Sequence, residues 1–121
     1  MDLSVRLQIL QDAGQLSEAN HRAIAGIIAM LADDWNIELT EENGAMFVTH
    51  LAIALERIAK GEPVKPVEEY VLAELKSQDC FGSCRRALAG IAAIVGREFP
   101  GEEEGYVLIH LCTLFAKEAQ R

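Results

Sequence analysis

Apolar residues recur along this chain three or four positions apart, which is the spacing of one face of an α-helix. The clearest stripe follows Ser17 and consists of Ile24, Ile27, Ile28, Leu31 and Trp35. A second stripe follows Thr40, and its members are Phe47, Leu51, Leu55 and Ile58. No segment alternates apolar and polar residues for long enough to form a strand. The pattern therefore predicts an all-α protein.

Residues typical of helix ends mark the first half of the chain. Ser17 and Thr40 have the hydroxyl side chains of N-caps, whereas Gly14 and Gly61 stand where helices should end. These signals predict a short helix from about Leu3 to Ala13, followed by two long helices.

Proline and loop residues divide the second half. Pro66 suits the first position of a shorter helix that runs through Leu75. A loop at residues 77–79 precedes a long helix rich in alanine and glycine, which a neighbouring helix can approach closely. After a break at residues 96–101, the last helix should reach about Ala119. We expect these helices to pack antiparallel with short connections.

Charge and composition limit the classes of molecule that this chain is expected to bind. The 121 residues suit one domain, and the net charge is −8. The basic residues are scattered, so we expect no direct contact with nucleic acid or an anionic membrane. The start, Met1 to Ser4, lacks the features of a signal peptide, and no apolar run reaches membrane-spanning length. We therefore expect a cytoplasmic protein.

Three cysteines, Cys80, Cys84 and Cys112, do not form a secreted disulfide pattern. Cys80 and Cys84 are four residues apart and share a helix face, so with Cys112 and a histidine they are candidates for zinc ligation. Burial as small apolar residues is the reading that we favour, because this spacing alone is a weak metal signal. We predict no metal and no cofactor.

Two histidines lie beside the apolar stripes of their helices. His50 and His110 are each about 100° from the centre of the stripe. Arg57 lies almost in line with His50, and Glu103 and Tyr106 flank His110. His50 and Arg57 are seven residues apart, or about 10 Å of helix rise. Any tight contact should therefore come from another helix or another subunit.

These residue types suit reversible phosphorylation. A neutral imidazole is a good nucleophile for a phosphoryl group, a carboxylate can fix its tautomer, and an arginine can bind the resulting phosphate. Met46 and Ile53 flank the same edge as His50 and form a second apolar strip. This strip indicates a partner surface, unless another helix of the same chain covers it.

At these segments the sequence resembles the phosphotransferase-system regulation domain, the PRD. The first matching stretch is His50–Arg57, with the sequence HLAIALER. The second matching pattern consists of Pro100, Glu102, Glu103, Gly105, Tyr106 and His110. The resemblance implies a five-helix bundle over residues 16–121, usually dimeric, with residues 1–15 as a short N-terminal helical extension.

The same resemblance implies the function of a regulatory module rather than an enzyme. His50 and His110 would accept phosphate from phosphocarrier proteins of the sugar phosphotransferase system. Arg57, Glu103 and Tyr106 would support them, and the module would act on a separate transcriptional regulator or transporter. The alternative is a constitutive helical dimerisation or interaction domain that has lost phosphorylation. A small enzyme is less favoured, because no combination of nucleophile, base and acid is evident.

Overall fold

Six helices account for most of the chain in a computed structural model that describes residues 2–119. They are α1 (Leu3–Asp12), α2 (Glu18–Trp35), α3 (Glu41–Lys60), α4 (Glu69–Lys76), α5 (Phe81–Val95) and α6 (Gly101–Ala119). The described residues contain no strand. The prediction of an all-α bundle of five helices with an extra short N-terminal helix is confirmed.

The helix ends follow local chemistry. The Ser17 side chain accepts a hydrogen bond from the backbone N–H of Asn20, and Thr40 forms a reciprocal capping box with Asn43. Gly61 and Gly96 end α3 and α5 with φ of +69° and +84°, a left-handed conformation that favours glycine. These caps fix the start of α2 and both ends of α3, the helix that carries His50.

The long helices pack antiparallel around one apolar core. The α2–α5 contact is close because Gly26 lies against Ile94 and Gly90 lies against Met30, each at 3.3 Å from the position a Cβ would take. This is the close approach that the alanine- and glycine-rich α5 predicted. The core receives buried residues from every helix, including Leu3 and Leu7 of α1. None of the helices within residues 2–119 is long and apolar enough to cross a membrane.

One helix boundary differs from the prediction. Pro66 does not begin α4; residues 62–68 have no regular structure, and the helix begins at Glu69. Two prolines, Pro63 and Pro66, favour extended backbone at the residues before them. The segment packs against α6 instead of forming a helical turn. This contact places it beside the candidate site.

Candidate functional site

The edges of α3 and α6 that carry the two histidines face each other. The rings of His50 and His110 are stacked, with centroids 4.3 Å apart and 12° between their planes. His50 is exposed, whereas His110 is half-buried. The two imidazoles thus form one unit in which His50 is the ring open to solvent.

Two helical turns away, Arg57 and Glu103 form a forked ion pair across the same interface. Arg57 Nε donates to Glu103 Oε2 at 2.9 Å, and Nη2 donates to Oε1 at 2.8 Å. The Glu103 side chain is only 3% exposed and that of Arg57 is 28% exposed. Hydrogen bonding to this carboxylate raises the pKa of Arg57 above its usual value. The guanidinium thereby satisfies a carboxylate that would be costly to bury alone.

The antiparallel register of α3 and α6 explains why both contacts form together. His50 and Arg57 are seven residues apart, as are Glu103 and His110, so each pair lies on one face of its helix. Antiparallel packing sets the earlier residue of α3 against the later residue of α6. The contacts therefore cross between helices, as the spacing required, and both occur within one chain.

Both histidines and Arg57 border a cleft of about 300 Å³ between α3, α6 and the segment 62–68. Its polar members are His50, Arg57, Tyr106 and His110. One apolar wall residue is Ile53, which the sequence analysis placed on the predicted partner surface. The others, which sequence reasoning did not assign to the site, are Phe47, Leu51, Ala54, Val64 and Val107. Both imidazoles and a guanidinium thus share one concave surface, a combination that suits an anionic group.

Gly105 and Tyr106 hold the segment 62–68 beside this cleft. The Tyr106 hydroxyl donates a hydrogen bond to the backbone carbonyl of Lys65 at 2.7 Å. A Cβ on Gly105 would lie only 2.9 Å from Val67 Cγ2, so glycine allows Val67 to approach the α6 backbone. These two contacts place Val64 in the cleft wall. Tyr106 is therefore a positioning residue for the segment as well as part of the lining.

The pKa of His110 lies below the usual value for histidine. Its partial burial lowers its pKa, and a positive charge on the stacked His50 lowers the pKa further. His110 is consequently neutral at pH 7 and keeps an unprotonated ring nitrogen. Two charged imidazoles at this separation would repel each other, so the stack favours at most one protonated ring.

Glu103 differs from its neighbours in a way that the sequence did not reveal. Glutamates occupy positions 102–104, and acidic residues in the first turn of a helix favour the helix electrostatically. In the structure Glu102 is exposed, Glu104 reaches Arg85 at 3.4 Å, and Glu103 alone turns into the interface. The equal seven-residue spacing of the two polar pairs was the available signal.

The predicted apolar strip is open to solvent. Met46 is 67% exposed and Ile53 is 47% exposed, so no helix within residues 2–119 covers them. His21, the remaining histidine, lies on α2 and contacts the side chain of Gln11 through Nδ1. It is therefore outside the candidate site.

Comparison with known proteins identifies the family to which this chain is related. A family model described as the PRD domain matches residues 25–113. The uncharacterized protein YhfY of Escherichia coli strain K12 is 28% identical over 117 residues, which cover 93% of this chain and 94% of that protein. No solved structure matches the chain. The family match includes both histidines, Arg57, Glu103 and Tyr106.

Proposed function

Because this chain belongs to the PRD domain family, we propose that it is a regulatory module whose histidine pair accepts phosphate from the sugar phosphotransferase system. The family is regulatory rather than catalytic. The observation that carries the proposal is the stacked pair His50 and His110 at a cleft that Arg57 also lines. The donors would be phosphocarrier proteins in the cytoplasm, and the target a separate regulator or transporter.

For the transfer, the acceptor has to supply only an imidazole nitrogen with a free lone pair. The lone pair of an unprotonated imidazole nitrogen attacks phosphorus as the P–N bond to the donor histidine breaks. The donor ring takes up one proton and the acceptor ring releases one from its other nitrogen, so both rings are neutral before and after transfer. His50 is the first acceptor, because its ring is exposed to an approaching protein.

Arg57 supports the product in this proposal. Its Nε and Nη2 groups are bound to Glu103, whereas Nη1 donates no hydrogen bond to another residue of the described chain. Arg57 and His50 are separated by about 10 Å of helix rise, so this group reaches a phosphoryl oxygen on His50 only when the guanidinium swings toward it and the fork to Glu103 opens. Phosphate adds about −1.5 to −2 charges at pH 7, so it also repels the buried Glu103 carboxylate. Phosphorylation would therefore weaken the contact between α3 and α6.

The proposed output is a change in self-association. Met46 and Ile53 lie beside His50 on α3 and are large exposed apolar residues. They are the proposed surface of a homodimer, and a phosphoryl group at His50 would add charge at its margin. Light scattering should show that Met46→Glu or Ile53→Glu dissociates the dimer without loss of helicity. Tyr70→Glu is the matched control, because Tyr70 is 74% exposed but lies on α4.

The acceptor can be identified with labelled phosphocarrier protein. Phosphate transfer should be retained in His21→Ala and largely lost in His50→Ala. His110→Ala should keep transfer but release the label faster, since the phosphorylated ring would lose its stacking partner. Unchanged labelling of the double variant His50→Ala/His110→Ala would contradict the proposal.

A second candidate function rests on the same ion pair. Glu103 already occupies two donors of Arg57, and this arrangement also suits a constitutive interaction module in which the pair only stabilises the fold. That function predicts no phosphate transfer, and it predicts that partner capture survives loss of both histidines. A pull-down with the double histidine variant separates the two candidates.

A further inference from the structure

Three thiols converge on the side of α6 away from the histidines. The Sγ atoms of Cys80, Cys84 and Cys112 all lie within 4.8 Å of one another. Cys84 and Cys112 are buried, and Cys80 is half-buried. The spacing of Cys80 and Cys84 gave only a weak signal in the sequence. The antiparallel packing of α5 and α6 supplies the third sulfur.

We propose that this cluster binds one thiophilic metal ion, Cu(I), through three thiolates. Soft thiolate ligands select soft ions such as Cu(I). A metal about 2.3 Å from each of three sulfurs in a plane requires sulfur–sulfur distances of about 4.0 Å. The observed separations reach this value with side-chain shifts of less than about 1 Å.

The number of donors decides between Cu(I) and zinc. Structural zinc sites take four protein ligands in a tetrahedron. Within residues 2–119, the group of close donor atoms consists of the three sulfurs and includes no histidine or carboxylate. A three-coordinate ion fits this set without a further ligand.

Of the three cysteines, Cys80 has the position that best accommodates negative charge. Cys80 is the N-cap of α5, a helix of 15 residues, and no side chain caps its first N–H groups. The positive end of the helix dipole favours a thiolate at Cys80. Burial raises the pKa of the Cys84 and Cys112 thiols, so these two lose their protons only as the metal binds. The partial exposure of Cys80 gives the ion a path from solvent. The three thiol protons pass to the buffer as the metal–sulfur bonds form.

Metal binding at this cluster would join the start of α5 to the middle of α6. Cys112 lies two residues after His110, which is about 200° further around the helix. The ion would therefore not contact the imidazole pair. The inference does not rest on phosphorylation, and either proposal can fail while the other stands.

The test is anaerobic titration of the reduced full-length protein with Cu(I) against a chromophoric chelator. We expect one Cu(I) per chain, and X-ray absorption at the copper edge should report three sulfur neighbours. Cys80→Ser and Cys84→Ala should each weaken binding by more than about tenfold, since even partners outside the coordination sphere are worth that much. Ser83→Ala and Thr113→Ala, the matched neighbours on α5 and α6, should bind as the wild type does.

Cys80→Ser is the decisive variant, because Cys80 is half-buried and its change leaves the buried sulfurs in place. Circular dichroism checks that each variant is folded. Unchanged Cu(I) affinity in folded Cys80→Ser, or two sulfur neighbours in the wild type, would overturn the three-thiolate site. Failure of the reduced wild type to compete for Cu(I) would overturn it as well.

Discussion

Two arginine–glutamate pairs join α3 to other helices, and they differ in their surroundings. Arg57 of α3 binds Glu103 of α6, whereas Glu41 of α3 binds Arg6 of α1 through a similar forked contact. The Glu103 side chain is 3% exposed, but that of Glu41 is 27% exposed. The same chemistry thus occurs once with a buried carboxylate and once with a partly exposed one.

The difference shows that burial, rather than the identity of the pair, decides what each contact does. Glu41 remains hydrated without its partner, and the hydrogen bond from Arg6 lowers its pKa from the usual 4.5. Glu103 has no such access to water, so only Arg57 offsets the cost of burying its carboxylate. We therefore expect the partly exposed pair to adjust stability slightly and the buried pair to be needed for the α3–α6 interface at the candidate site.

The largest effect should come from breaking the buried pair. Arg57→Ala leaves the Glu103 carboxylate buried and unpaired, and removal of one partner typically costs about 3–5 kcal/mol. We expect a loss of this size in the free energy of unfolding from urea titration. The companion variant Arg57→Met/Glu103→Leu should recover most of it, because the apolar pair leaves no buried charge. A loss below that of Glu41→Ala would contradict the comparison.

The next effect tests the contact between α6 and the segment 62–68. Gly105→Ala places a methyl group 2.9 Å from Val67 Cγ2, so Val67 must move. Overpacking of this kind typically costs about 1–3 kcal/mol. The free energy of unfolding measures the loss, and proteolysis near Lys65 should become faster. Gly101→Ala is the control, because no atom lies within 4 Å of a Cβ at that position.

A smaller effect is expected for Glu41→Ala. This change removes a hydrogen-bonded pair that solvent screens, so the unfolding midpoint should shift less than in either variant above. The shift should shrink further at high salt, because exposed ion pairs are screened. If the loss of stability were independent of salt and as large as that of Arg57→Ala, the two pairs would contribute equally and the comparison would be contradicted.

The histidine pair should change stability only below neutral pH. The pKa of His110 is lower in the folded chain than its usual value of 6.5. Between these values the unfolded chain binds a proton that the folded chain does not, so stability falls as the pH falls below about 6.5. Urea titrations at pH 7.5 and 5.5 should show a smaller loss for His110→Gln than for the wild type. An equal loss would mean that His110 titrates normally.

Local patterns predicted most of the fold, and long-range register supplied the site. Ser17, Thr40 and Gly61 marked helix ends, because a cap depends on a few neighbouring residues. The predicted start of α4 was wrong. Val67 packs on Gly105, about 40 residues away, and that contact holds the chain extended after Pro66. A helical wheel cannot report such contacts.

The candidate residues were found on helix edges, but their partners were not. His50 and His110 were placed about 100° from the stripe centres, and this angle is a property of each helix alone. The stacking of these rings and the burial of Glu103 depend on how α3 and α6 are aligned. The same holds for Cys112, which joins the other two thiols only through packing of α6 on α5.

The most direct test of the proposed phosphate acceptance is the intact mass of the chain. The purified protein is incubated with phosphoenolpyruvate, the first phosphotransferase enzyme and the histidine phosphocarrier protein. The mixture stays at neutral or alkaline pH, because phosphohistidine is acid-labile. We predict a gain of one phosphate in the wild type and in His21→Ala, and no gain in His50→Ala/His110→Ala. No gain in the wild type, beside a known acceptor that is phosphorylated in the same tube, would contradict the account.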